Sequence, residues 1–161
     1  MNLSPAGLRF IKTREGYRGQ LYNDAAGHAT IGYGHLVHRG AVGTDTAAEF
    51  MFAAGLAEAP AAMLLARDLK RFEAAVRTFV KRGLKQHEYD ALVSFAYNVG
   101  VGGFSRSTAV RRVNDAATPD AIASAFMMWT KAGGHENRGL VARRRAEAEL
   151  YNTGEYGGPK P

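Results

Sequence analysis

A chain of 161 residues suits one domain, or two small lobes sharing a core, and is long enough to fold unaided. Its 46% hydrophobic and 22% charged residues read as soluble and globular, and the absence of cysteine excludes disulfides, thiolate metal sites and a thiol nucleophile. A formal charge of +6 with a pI near 9.8 implies attraction to polyanions, among them nucleic acid, anionic lipid and carboxylate-bearing wall polymers.

The opening residues Met1 to Pro5 lack the basic start and apolar run of a secretory signal. Ser4 is the expected N-cap of a helix and Pro5 its first position. Leu8, Ile11 and Glu15 then share one helical face, so a carboxylate stands on the apolar side just before Gly16 ends the helix. Residues 17–43 change character. Short strands are expected at Leu21-Tyr22 and Ala29 to Tyr33, with Asn23, Asp24, Gly27, Gly32, Gly34, Gly40 and Gly43 supplying turns, which makes a small glycine-rich β lobe. Thr46-Ala-Ala-Glu49 has capping-box form and opens a helix that Pro60 interrupts or restarts. Leu65, Leu69, Phe72, Val76 and Phe79 recur at helical offsets, marking a long amphipathic helix that ends at Gly83.

From Gln86 on, the pattern is entirely helical, giving a helical lobe over about residues 84–153. Tyr89, Leu92, Val93, Ala96 and Val99 mark one helix, Ser107 caps a second, and Thr118-Pro119 opens a third with Ile122, Phe126 and Trp129 on one face. A last helix runs from about Gly139 to Tyr151, and residues 157–161 form a frayed tail. The longest uncharged run, Ala91 to Ser105, is shorter than the ~20 residues that span a bilayer and is broken by glycines, so no membrane insertion is expected. The basic clusters Lys81-Arg82, Arg111-Arg112 and Arg143-Arg144-Arg145 read as solvated helix faces. No repeat, linker or second domain is evident; residues 1–161 read as a single domain.

The chemistry concentrates between Glu15 and His35. Glu15 ends a helix, Asp24 follows in a turn, and Thr30 lies on the returning strand. Glu15 on an apolar face predicts partial desolvation, the setting of a proton donor; its structural alternative is a salt bridge to Arg14 or Arg18. For Asp24 the alternatives are an Asx-type turn former or an ionised carboxylate, and for Thr30 a β-former or a hydroxyl facing Asp24 across the hairpin. Two carboxylates with a neighbouring hydroxyl match the needs of glycosidic-bond cleavage by acid and base. His35 reads as structural, paired with a carboxylate from the helical lobe. Histidines at 28, 35, 38, 87 and 135 show no i, i+4 pair on an expected helix, so no metal site is expected.

The window Glu15-Gly-Tyr-Arg-Gly-Gln-Leu-Tyr-Asn-Asp24, continuing through Thr30-Ile-Gly-Tyr-Gly-His35, resembles nearly residue for residue the catalytic region of the tailed-phage lysozymes, the endolysins. The likeness continues at Phe95-Ala-Tyr-Asn98-Val-Gly-Val-Gly-Gly-Phe104-Ser-Arg-Ser107, at Trp129 to Gly134 and at Arg138 to Glu147. The stretch from Gly134 to Gly139 is less regular and gives no firm role to His135 or Asn137.

The resemblance implies a mainly helical α+β lysozyme-like fold, with a small β lobe over about 17–43, a long connecting helix, a helical lobe and a cleft between the lobes. It implies Glu15, Asp24 and Thr30 as the catalytic three, and Leu36 and Ser107 as sugar contacts. Tyr33, Phe95 and Asn98 are further substrate-binding candidates, Phe95 with core packing as its equal alternative. The implied activity is hydrolysis of the β-1,4 bond between N-acetylmuramic acid and N-acetylglucosamine in peptidoglycan, with inversion and without a cofactor. The implied setting is a monomer held in the host cytoplasm until a separate holin-type pore admits it to the wall in the periplasm. Three rivals stand beside this reading. A lytic transglycosylase would usually need only the acid, a glycan-binding module that has lost catalysis would lack Glu15 or Asp24, and a nucleic-acid binder would carry a recognisable motif.

Overall fold

The structure is a computed structural model and describes residues 1–157. Of the expected tail over 157–161, all but Gly157 lies outside the described residues. The chain divides into two compact units, one of Lys12–Asp68 and one of Met1–Ile11 with Leu69 onward.

Helix α1 (Pro5–Glu15) starts and stops as its sequence predicts. The Ser4 hydroxyl accepts from the Gly7 N–H at 2.9 Å, and the Gly16 N–H closes the last turn on the Lys12 carbonyl at 3.2 Å. Asp90, fully buried, holds the start of the helix: it accepts from the Ser4 N–H (3.2 Å) and the Ser4 hydroxyl, from Gln86 Nε2 (2.8 Å) and from the Tyr156 hydroxyl (2.7 Å). Four donors are what a buried carboxylate requires.

In the Lys12–Asp68 unit, β1 (Arg18–Asn23), β2 (Ala29–Gly32) and β3 (His35–His38) form an antiparallel sheet in the order β1-β2-β3. Every residue of the central strand β2 is buried. The third strand departs from the sequence reading, which expected turns at Gly34, Gly40 and Gly43 and no strand after Tyr33. His-Leu-Val-His is four residues long, half polar and at the sheet edge, so it carries no alternation by which to recognise it.

Helix α2 (Thr46–Glu49) is a single turn followed by a 3₁₀ turn at Phe50–Phe52, and it differs from the expected longer helix. Asp45, not Thr46, is its N-cap, accepting from the Ala48 N–H at 3.1 Å. Glu49 makes no capping box, because its Oε1 bonds His38 Nε2 (2.7 Å) and accepts from the Gly43 N–H (2.8 Å). Helix α3 (Glu58–Phe79) begins afresh with Pro60 in its first turn, where a missing N–H costs nothing. It ends four residues before Gly83 because Asn114 intervenes: Oδ1 accepts from the Lys81 N–H (2.7 Å) and Nδ2 donates to the Phe79 carbonyl (2.9 Å).

The other unit is built mainly from α4 (Gln86–Ser105), α5 (Thr108–Asn114), α6 (Pro119–Met127) and α7 (Arg138–Thr153). Helix α4 is broken at Gly100, whose φ of 78° and ψ of 158° no helix contains. Ser107 and Thr118 cap α5 and α6 as expected, each accepting from the N–H three residues on. The stretch expected to be entirely helical instead contains a hairpin, β4 (Lys131–Ala132) and β5 (His135–Glu136). Its two-residue turn, Gly133-Gly134, has φ of 58° and 82°, the positive pair such a turn demands. Trp129 therefore lies beyond α6 rather than on its face.

The core of this unit is aromatic. Phe95 packs edge-on to Phe104 (6.2 Å), Phe126 (4.9 Å) and Trp129 (5.9 Å), and Phe126 meets Tyr151 (6.1 Å). Each fully buried aromatic of this kind stabilises the unit by about 1.5–3 kcal/mol. Two of the three clustered arginines are also inside, contrary to the solvated-face reading. Arg144 is fully buried with its Nε 2.9 Å from Glu147 Oε2, and Arg143 Nε donates to Glu147 Oε1 at 3.1 Å, which also accepts from the Ser94 hydroxyl at 2.6 Å. Only pairing makes such burial tolerable, and the pairing partner is invisible in a run of like charges.

Candidate active site

Glu15, Asp24, Thr30, Tyr33 and Leu36 all belong to the Lys12–Asp68 unit; Phe95, Asn98 and Ser107 belong to the other. Glu15 is the last residue of α1, half-buried, with Oε1 shielded from solvent, in line with the expected partial desolvation.

Asp24 follows directly on β1 and opens the turn to β2. Its Oδ1 accepts from the N–H groups of Ala26 (2.8 Å) and His28 (2.9 Å), while its own N–H donates to the His28 carbonyl (2.9 Å). The turn-forming reading of Asp24 is observed: an Asx-type turn fixes the carboxylate through one oxygen, and Oδ2 makes no hydrogen bond among the described residues. Thr30 is buried, at 3% exposure, and its hydroxyl donates to the His28 carbonyl at 3.0 Å. Thr30 and Asp24 are therefore joined through the peptide groups of His28, with no direct hydrogen bond between their side chains among the described residues.

Thr30 pairs with Tyr22 on one side and Leu36 on the other, and directly opposed residues project from the same sheet face. Tyr22 was not among the sequence candidates. The Arg18 guanidinium lies 4.4 Å from the centre of its ring. Burial pushes the Tyr22 phenol up, and the charges of Glu15 and Asp24 add to this against the opposing charge of Arg18. Both carboxylates thus act on one phenol. The available signal was strand parity, since Tyr22 stands two residues before Asp24.

Leu36 is 46% exposed and open to a ligand. Tyr33 differs from its expected sugar-contact role: it is 4% exposed and its hydroxyl donates to Glu58 Oε1 at 2.7 Å, with Lys12 Nζ 3.1 Å from the same oxygen. Those two partners hold the Glu58 carboxyl below the usual range. His35 pairs with a carboxylate as expected, through Nδ1 to Asp68 Oδ2 at 2.6 Å, but Asp68 stands on the connecting helix α3 and not in the helical lobe.

In the other unit Phe95 is wholly enclosed, so core packing is its role and it has no surface to offer a sugar. Asn98 is exposed and accepts from Arg144 Nη2 at 2.9 Å. Ser107 caps α5 by accepting from the Val110 N–H at 3.1 Å, and it lines a pocket of about 400 Å³ with Arg106, Arg111 and Asn114. Asn137, left without a firm role, is the N-cap of α7. Among the described residues, no group of three or more His, Asp or Glu is placed to hold a metal ion, and no helix is long and apolar enough to cross a membrane.

Comparison with known proteins identifies the family. Residues 12–147 match the family model "Phage lysozyme". The chain is 38% identical to the endolysin of Bacillus phage PZA over 96% of its own length and 56% of that protein's. It is thus little more than half the length of that relative. With the endolysin of Salmonella phage P22 it shares 36% identity over 94% of this chain and 98% of the relative. Among solved structures, the endolysin from Escherichia coli O157:H7 phage FAHEc1 superposes with a TM-score of 0.81 at 33% identity, covering 98% of each chain. The muramidase domain of SpmX from Asticaccaulis excentricus gives 0.79 at 34% identity, covering 94% of this chain and 98% of the domain. The chain belongs to the phage lysozyme family.

Proposed function

We propose that this chain is an endolysin that hydrolyses the β-1,4 bond between N-acetylmuramic acid and N-acetylglucosamine of peptidoglycan, with inversion, to lyse a host cell. The observation that carries this is the turn in which His28 ties the Asp24 carboxylate to the Thr30 hydroxyl, in the same unit as the half-buried Glu15. Glu15 protonates the departing glycosidic oxygen. Asp24, with Oδ1 committed to the turn, uses Oδ2 to polarise a water that Thr30 helps to hold. Proton transfer and charge stabilisation of the oxocarbenium-like transition state suffice for this chemistry. Leu36, Ser107 and Asn98 serve as glycan contacts.

On this reading the protein acts as a monomer, waits in the host cytoplasm, and reaches the periplasmic wall through a separate holin-type pore. Its positive charge favours the acidic wall over neutral surfaces. The test is NMR of the first product released from purified peptidoglycan. An initial α-anomer supports a water-activating Asp24; a β-anomer or a trapped glycosyl ester on Asp24 makes Asp24 the nucleophile; a 1,6-anhydro product makes the chain a transglycosylase.

A further inference from the structure

We propose that His28 is a positioning residue for the Asp24–Thr30 pair, holding it through a hydrogen bond from the Gly40 N–H to imidazole Nδ1. The inference rests on the catalytic roles given above to Asp24 and Thr30.

The peptide groups of His28 make three of the bonds that fix the pair: its N–H donates to Asp24 Oδ1 (2.9 Å), and its carbonyl accepts from the Asp24 N–H (2.9 Å) and the Thr30 hydroxyl (3.0 Å). Any drift of this residue moves both side chains at once. On the β3 side the pairing next to it is irregular, because the register between β2 and β3 shifts between Ala29 and Thr30, where the strand leaves the turn. Gly40 closes that gap. Its N–H donates to His28 Nδ1 at 3.2 Å, and its carbonyl accepts from the Ala29 N–H at 2.8 Å, so residues 28 and 29 are bracketed by one glycine. A backbone N–H can only donate, so Nδ1 is the acceptor and the ring proton sits on Nε2.

The loop that carries Gly40 is itself pinned twice more. The Val42 N–H donates to Asn23 Oδ1 at 2.7 Å, beside Asp24, and the Gly43 N–H donates to Glu49 Oε1 at 2.8 Å. Residues 40–43 thus form a brace against both ends of the catalytic turn, and the His28 ring is the member of the brace that reaches the peptide groups shared by the pair. The role assigned to the His28 ring is to hold the pair through the Gly40 amide and not to hold the glycan, so the expected consequence is a loss of turnover without a loss of binding.

The test compares His28→Leu, which removes the acceptor, with His28→Asn, whose Oδ1 reproduces the position of Nδ1. His28→Gln, whose polar atoms lie farther out, replaces the leucine variant should that one fail to fold. On purified peptidoglycan, His28→Leu is expected to lower kcat about tenfold to a hundredfold with KM unchanged, the size of effect a small misplacement of a reacting group produces, and His28→Asn to restore most of it. Exchange of the Gly40 amide hydrogen, followed by NMR, should quicken in His28→Leu and stay slow in His28→Asn. Equal losses in the two variants, or wild-type kcat in His28→Leu while Asp24→Asn and Thr30→Ala are inactive, would overturn the role of His28 and leave the proposed function standing. Full activity in Asp24→Asn and Thr30→Ala would remove the catalytic reading, and the inference with it.

Discussion

The turn around Asp24 and the Glu147 cluster handle polar side chains in opposite ways. At the turn, polar atoms bond mostly to backbone: Asp24 and Thr30 are held by peptide groups, and Asp24 Oδ2 is left over. Around Glu147, fully buried, Oε1 accepts from Arg143 Nε and the Ser94 hydroxyl, and Oε2 lies 2.9 Å from Arg144 Nε as an ion pair. The first arrangement leaves one carboxylate oxygen without a side-chain partner; the second engages both oxygens with buried side chains. A carboxylate near a cation is therefore no guide to catalysis by itself; one held through a single oxygen, with a second carboxyl in the same unit, is the better candidate.

Substitutions test this contrast. The largest effect is expected at Glu15: Glu15→Gln should lower wall hydrolysis more than about a hundredfold, the usual contribution of a general acid, while circular dichroism and melting stay those of the parent. Activity above about a tenth of the parent would exclude Glu15 from the role. Glu147→Gln should do the reverse, costing about 3–5 kcal/mol in denaturant unfolding because the buried charges of Arg143 and Arg144 lose their carboxylate, with activity per folded molecule retained.

Thr30→Ala lies between these extremes. Losing a buried hydroxyl bond should cost about 1 kcal/mol, and kcat should fall while KM hardly changes, since the water loses one of its holders. A change in KM alone would place Thr30 in binding instead.

The smallest effect concerns His38 and Glu49, where pH sets the sign. Bonding to Glu49 raises His38 above its ordinary 6.5, so that contribution is fully present below 6.5 and is lost as pH rises through the raised value. His38 and the Gly43 N–H lower Glu49 below its ordinary 4.5, so its contribution is present above 4.5 and is lost as pH falls through the lowered value. His38→Ala should accordingly depress Tm most between pH 4.5 and 6.5 and least in mild alkali. A Tm difference independent of pH would show that the pair is not what His38 contributes.

Local signals carried much of this molecule into the sequence. Ser4, Ser107 and Thr118 start their helices where the cap residues stand, because an N-cap bond spans only three residues. The Glu15, Asp24 and Thr30 window is compact for the same reason: a helix end, a turn and a hairpin place all three within one unit. The Gly133-Gly134 hairpin was also legible locally, and reading its surroundings as helix concealed it.

What only the tertiary structure decided are the bonds between distant residues. Asn114 ends α3, Glu49 leaves its cap for His38 and Gly43, Glu147 draws Arg143 and Arg144 into the core, and Phe95 is enclosed rather than offered to a ligand. In each case a side chain has a strong local option and a better remote one. Burial and desolvation choose between them, and neither can be read before the chain is folded.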